Sequence, residues 1–239
     1  MLTQEQLTMM AENVARIREN MAAAAREAGR DPADILLCAA CKTRTVEEVI
    51  ASAALPIDLF GENHVQELVE KTDANAYCGK PGHFIGHLQT NKVKQVVGKV
   101  DLIESVDRME LLECIEKTAA KLGIVQPILL EVNIGAEESK SGFLQEEIWQ
   151  AVEKMADFPH CRLRGLMAIP PISLHPGDNR RYFAEMRNLF VDISEKKYDN
   201  VDMECLSMGM SGDYADAIAE GATMIRVGTA IFGPRNYNV

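Results

Sequence analysis

Two spacings of apolar residues alternate along the chain. Short continuous apolar runs, the length of strands buried on both faces, are separated by stretches in which apolar residues recur every three or four positions, as on one face of a helix. The runs predict strands at 35–43, 57–61, 83–86, 102–106, 127–132, 163–169, 204–208 and 223–227. The intervening periodicity predicts helices at 46–54, 64–74, 91–97, 109–122, 145–155, 180–196 and 214–220. In the helix at 180–196, Phe183, Met186, Phe190 and Ile193 fall on one stripe. An alanine-rich helix precedes all of these. Thr3 followed by Gln6 reads as its capping box, and Gly29 with Pro32 ends it.

Strands alternating with helices, with no linker rich in Pro, Gly or Ser between them, argue for a parallel sheet. The number of units in 239 residues predicts one α/β domain over 1–239, a closed (β/α)8 TIM barrel with an extra N-terminal helix. A doubly wound open sheet is the competitor. The chain ends soon after the last strand, so the eighth helix is expected to be missing or reduced, with the leading helix covering the gap. The loop at 170–178 carries Pro170, Pro171 and Pro176 and is expected over the barrel mouth.

Composition narrows the partners. Lys and Arg total 25 against 36 Asp and Glu, a net charge of -11, which repels nucleic acid and anionic lipid. No run approaches the roughly 18 apolar residues of a membrane span, and the amino terminus does not read as a signal peptide. The six cysteines mostly sit in apolar or helical patterns, as free thiols do in a reducing compartment. A cytoplasmic monomer is expected, with no nucleic acid or membrane partner.

In a barrel of this kind the chemistry lies at the carboxyl ends of the strands. Those ends offer Lys42, Glu62 with Asn63, His87, Asp107, Asn133, Met167 with Ala168, Ser207 to Ser211, and Gly228 with Thr229. A lysine closing a buried strand is either the first solvated residue or an amine poised to make an imine with an aldehyde. SMGMSGDY from Ser207 and RVGTAIFG from Arg226 place glycines and hydroxyls after the last two strands. Phosphate binding recurs there because backbone N–H groups converge, although ordinary turn chemistry gives the same pattern. Ser211 is expected to open the following helix. Arg226, inside an apolar strand, needs an acceptor: a carboxylate such as Glu204, or the ring nitrogen of a pyridine cofactor. Cys38 and Cys41 form a CxxC on opposite strand faces, and His83 and His87 have no third ligand at metal spacing, so no metal site is expected. His87 is expected to line the mouth, and Lys140 stands at its rim.

AACKT around Lys42, FGENHVQE from Phe60, HFIGHLQTNK from His83, IESVD from Ile103, EVNIGAEESKSG from Glu131, RGLMAIPP from Arg164, LSMGMSGDY from Leu206 and IRVGTAIFG from Ile225 together resemble the pyridoxal phosphate homeostasis protein family. The resemblance spans nearly the whole chain. It implies a barrel similar to the barrel domain of alanine racemase and a Schiff base between Lys42 and pyridoxal 5'-phosphate (PLP). It further implies Ser207, Ser211, Gly228 and Thr229 around the phosphate, Arg226 at the pyridine nitrogen, and Asn63 and Met208 lining the cofactor. The implied role is a non-catalytic one: storing, buffering or delivering PLP within the cell, with effects on amino-acid and keto-acid balance and with cofactor-dependent apo-enzymes as transient partners. A PLP-dependent amino-acid racemase of low activity is the alternative, and a lysine-imine aldolase for a sugar phosphate is a third class. Where many relatives have serine before the lysine, this chain has Cys41, which strand parity turns away from Lys42.

Overall fold

The computed structural model describes residues 2–173 and 175–234, so residue 174 of the proline-rich loop and residues 235–239 lie outside what is described below. Strands β1 (Leu36–Ala40), β2 (Leu59–Glu62), β3 (Gly82–Phe84), β4 (Leu102–Val106), β5 (Gln126–Val132), β6 (Cys161–Ala168), β7 (Val201–Ser207) and β8 (Met224–Val227) are all parallel. They close in sequence order into a barrel, β8 pairing back onto β1. The helices are α1 (Gln4–Glu27), α2 (Val46–Ala53), α3 (Val65–Asp73), α4 (Met109–Leu122), α5 (Gln145–Glu153), α6 (Arg180–Lys196), α7 (Tyr214–Ala219) and α8 (Thr229–Phe232).

Local chemistry accounts for the ends of α1. Thr3 Oγ1 accepts from Gln6 N, and Gln6 Oε1 accepts from Thr3 N at 2.8 Å, closing the capping box. One face of α1 (Met10, Val14, Ile17, Met21 and Ala25) is buried, and the helix packs on α7 and on α8, a single turn. The eighth helix is thus reduced, and α1 covers the gap it leaves. The expected helix at 91–97 is instead a 3₁₀ turn, Thr90–Gln95; Val93, Val96 and Val97 are all buried, and Gly98 at φ +78° turns the chain away directly after them.

Strand alternation divides the core in two. Between the sheet and the helices lies the main core, with Phe60, Phe84 and Phe183 fully enclosed. Each such side chain stabilises the fold by about 1.5–3 kcal/mol. Inside the barrel lies a smaller cluster of Cys38, Leu59, Leu102, Leu129, Met167 and Met224. β7 begins earlier than the apolar run at 204–208 suggests, because its first half alternates polar and apolar residues and is held to β6 by the ion pairs Arg162–Asp202 and Arg164–Glu204.

Candidate functional site

The site begins where β1 stops. Cys41 to Arg44 form a four-residue turn in which Cys41 O accepts from Arg44 N at 3.0 Å. Thr43 takes φ +64°, a left-handed conformation costly for a β-branched residue and usual for glycine at that place in a turn. The strain is held from outside the barrel. Lys71 Nζ, on α3, donates to Cys41 O at 2.8 Å, and Glu67 Oε2 accepts from Thr43 N at 2.8 Å. Lys71 also donates to Glu62 Oε1 at 2.9 Å and Glu67 Oε2 at 3.1 Å. Arg44 closes the turn on its far side, donating to Gly233 O at 2.6 Å with its guanidinium over the Phe232 ring. Lys42 is therefore carried on a backbone fixed at both neighbours.

Lys42 lines a cavity of about 260 Å³ at the mouth, together with Asn63, Ser211, Arg226, Gly228 and Thr229. These residues, singled out on separate strand ends, come together in space. Gly86 lets β3 approach β2 here, since a Cβ would lie 2.1 Å from Asn63 O. Asn63 Oδ1 is itself buried without a protein partner. On the opposite wall, Gly209 at φ +92° turns the chain out of β7. Asp213 then shapes the loop, accepting from Met210 N at 2.7 Å and from Asn179 Nδ2 at 2.8 Å, so that Ser211 and Gly212 face the cavity. Ser211 lies in this turn and does not open the helix, which begins at Tyr214 behind its Asp213 cap.

Arg226 is 4% exposed and sits beneath the cavity. Its guanidinium donates to Ser207 Oγ and, at 2.9 Å, to Ala168 O. Ser207 Oγ in turn donates to Glu104 Oε2 at 2.6 Å, and Glu104 Oε1 meets His83 Nδ1 at 2.7 Å. Burial would raise the Glu104 carboxyl, but His83, Arg226 and Ser207 outweigh it and hold the group below its ordinary value. The carboxylate serving Arg226 is therefore Glu104, not Glu204, which is exposed and pairs with Arg164.

Two other expectations change in the same way. Ser207 is fully buried, and its side chain is engaged with Arg226 and Glu104 rather than lining the cavity. Met208 points into the outer core, so its side chain does not face the cavity. Cys38 belongs to the inner cluster and Cys41 to the outer core, as strand parity requires. Burial pushes both thiols well above their ordinary value, which keeps them protonated.

His83 and His87 each meet a carboxylate, but separate ones: Glu104, and Asp107 at 3.0 Å. No cluster suited to a metal occurs among the described residues. His87 lines the mouth, and Lys140 at the rim pairs with Glu137 and donates to Pro170 O. No described helix is long and apolar enough to cross a membrane. The residues that sequence reasoning missed are Lys71, Glu67, Glu104, Asp213 and Glu131, a carboxyl at the end of β5.

A closed barrel with an amine at the first strand end and hydroxyl-bearing turns after the last two defines a class. The family model of the alanine racemase N-terminal domain matches residues 13–236. The pyridoxal phosphate homeostasis protein of Aquifex aeolicus (strain VF5) is 42% identical over 226 residues, 95% of this chain and 98% of that protein. PipY of Synechococcus elongatus PCC7942, in its structure with PLP bound, superposes with a TM-score of 0.80 at 29% identity, over 94% of this chain and 100% of that one. An alanine racemase of Clostridium difficile 630 shares the fold at a TM-score of 0.69 and 17% identity, over 95% of this chain and 58% of the racemase. This chain belongs to the pyridoxal phosphate homeostasis protein family.

Proposed function

We propose that the chain binds PLP at Lys42 as a Schiff base and acts as a non-catalytic holder of the cofactor in intracellular PLP homeostasis, storing, buffering or delivering it and thereby affecting amino-acid and keto-acid balance. The carrying observation is that one cavity brings together the Lys42 amine, the Arg226 guanidinium and the Ser211 and Thr229 hydroxyls. The residues fit the group. Ser211, Thr229 and the backbone at Gly212 and Gly228 offer donors for a phosphate, and Asn63 Oδ1, buried without a protein partner, would accept from a ring hydroxyl. PipY, with PLP bound in its structure, and the relatives named for PLP homeostasis support the reading.

When bound, the cofactor supplies an aldehyde that condenses with a primary amine and a ring that withdraws electrons. Arg226 limits the second property. A guanidinium does not lose its proton, so Arg226 would donate to the ring nitrogen and leave that nitrogen unprotonated. Ser207, Ala168 O and Glu104 hold it in that role. A site of this kind favours retention over turnover of amino acids. The recipients would be apo-enzymes that use the same cofactor, met by a monomeric carrier.

The test is the visible spectrum of the purified protein with PLP, before and after adding L- and D-amino acids, with chiral analysis of the mixture. An imine band without isomer interconversion supports the reading. Interconversion would make the chain a racemase, and a colourless protein would overturn the cofactor assignment in favour of an aldolase.

A further inference from the structure

A second cavity of about 290 Å³ adjoins the first at the barrel mouth, sharing Asn63, Ile85 and Ile169 with it. Glu131 lies in its wall. Two residues beyond the inward-facing Leu129 on β5, it projects into the barrel near the top. It is 7% exposed, and no described residue hydrogen-bonds to or ion-pairs with its carboxyl. The other buried interior carboxyls are engaged: Glu104 by Ser207 and His83, Asp107 by Arg108 and His87, Asp213 by Asn179.

The charged groups around Glu131 leave it unserved. Asp107, at the end of β4, repels it; Arg226 on β8 attracts it but donates to Ser207 and Ala168 O and forms no ion pair with it, so burial and Asp107 prevail. His87, beyond β3, is held by Asp107 and Ser141, and Lys140, in the loop after β5, by Glu137 and Pro170 O. A carboxyl sunk without a partner into a cavity wall is complementary to a ligand that brings a cation and its own donors. An ammonium is the simplest such ligand, and the neighbouring cavity holds an amine, Lys42, that another amine can replace.

We propose that this cavity receives a small primary amine as its ammonium ion, and that Glu131 takes up the ammonium proton so that the free amine can displace Lys42 from bound PLP. The inference rests on the PLP reading above. In the exchange, the incoming nitrogen forms a bond to the carbon held by Lys42, and the bond from that carbon to Lys42 Nζ breaks. Lys42 leaves as an amine and takes back the proton that Glu131 received, so no oxidant or reductant is required. Burial, and then the neighbouring Asp107, push the Glu131 carboxyl up to about 7, a value suited to accepting and returning a proton near neutrality.

Two measurements test the proposal, and the first does not need the cofactor. In cofactor-free protein, the ¹³C-carboxyl resonance of Glu131 should titrate near neutrality and move to lower pH when ethylammonium is added; an unmoved titration overturns the amine site. In the PLP-loaded protein, stopped-flow loss of the imine band should be compared for ethylamine, an ammonium at pH 7, and methoxyamine, which is neutral there. In Glu131→Gln the ratio of ethylamine to methoxyamine rates should fall at least tenfold, and Glu131→Asp should restore part of it. An unchanged ratio overturns the proton-acceptor role. Failure of the wild-type protein to form an imine band at all would instead overturn the PLP reading, while the resonance titration still decides the amine site.

Discussion

Two buried charge clusters flank the turn that carries Lys42, one inside the barrel and one outside it. Inside, Glu104 is enclosed but has His83, Ser207 and Arg226 around it, and its carboxyl is held below the ordinary value. Outside, Glu62 is just as enclosed and meets Lys71, yet burial outweighs that partner and pushes its carboxyl up to about 7. The Lys71 ammonium is held charged despite its own burial, by Glu62 first and by the other oxygens around it. The inner cluster fixes the orientation of one side chain, Arg226. The outer cluster fixes a backbone, because Lys71 and Glu67 grip the residues on either side of Lys42. A buried carboxylate stays ionised only where several groups converge on it, and a single partner leaves it able to take a proton.

That contrast ranks the substitutions. Glu104→Gln should cost most, about 3–5 kcal/mol in chemical denaturation at pH 7, because it leaves the Arg226 guanidinium buried without a counter-charge. The Glu104 contribution is present above the ordinary carboxyl value and lost as pH falls through the lower folded-state value, so the variant should also lose that part of the acid sensitivity. Equal stability of variant and wild type at pH 7 would mean that Ser207 and Ala168 O suffice for Arg226.

Glu131→Gln should act in the opposite direction. The folded protein holds the Glu131 proton up to about 7 against an ordinary 4.5, so wild-type stability falls as pH rises through that window. Denaturation midpoints at pH 8 should favour the variant by on the order of 3 kcal/mol, with little difference at pH 4. A variant no more stable at pH 8 would show that the carboxylate is solvated when charged.

Lys71→Met should cost less than Glu104→Gln, about 2 kcal/mol at pH 6, because Glu62 can protonate when its partner leaves. The penalty should grow above pH 7, because without Lys71 the buried Glu62 carboxyl is pushed up further and keeps its proton where the wild type releases it. Freed from its grip, the turn should also hold PLP about tenfold more weakly by equilibrium titration. Thr43→Gly carries the smallest effect. Relief of the left-handed conformation should stabilise the fold by about 1 kcal/mol, read as a small rise in melting temperature. A loss of stability would show that the Thr43 side chain contributes more than its backbone costs.

How visible each part was beforehand follows from how local its cause is. The barrel was legible because buried strands and amphipathic helices carry different periods, and the turns after β7 and β8 because glycines and hydroxyls act through backbone next to them in sequence. Arg226 stood out as a guanidinium in an apolar strand. Its carboxylate partner was not legible in the same way: Glu204 was offered as an example, whereas parity puts Glu104 on the same inward face as Leu102. Glu131 could have been found in the same way, two positions after Leu129. The outer cluster could not. Glu67 and Lys71 read as an ordinary surface pair four residues apart on α3, and only the docking of that helix buries the lysine against the turn. The φ of Thr43 leaves no trace in the residue type.

Borohydride reduction of the PLP-loaded protein, followed by mass spectrometry of its peptides, tests the central claim most directly. One pyridoxyl group per chain, on the peptide containing Lys42 and lost in Lys42→Ala, is the result expected here. A stoichiometric label on another lysine, such as Lys140 at the rim, or none at all, would contradict it.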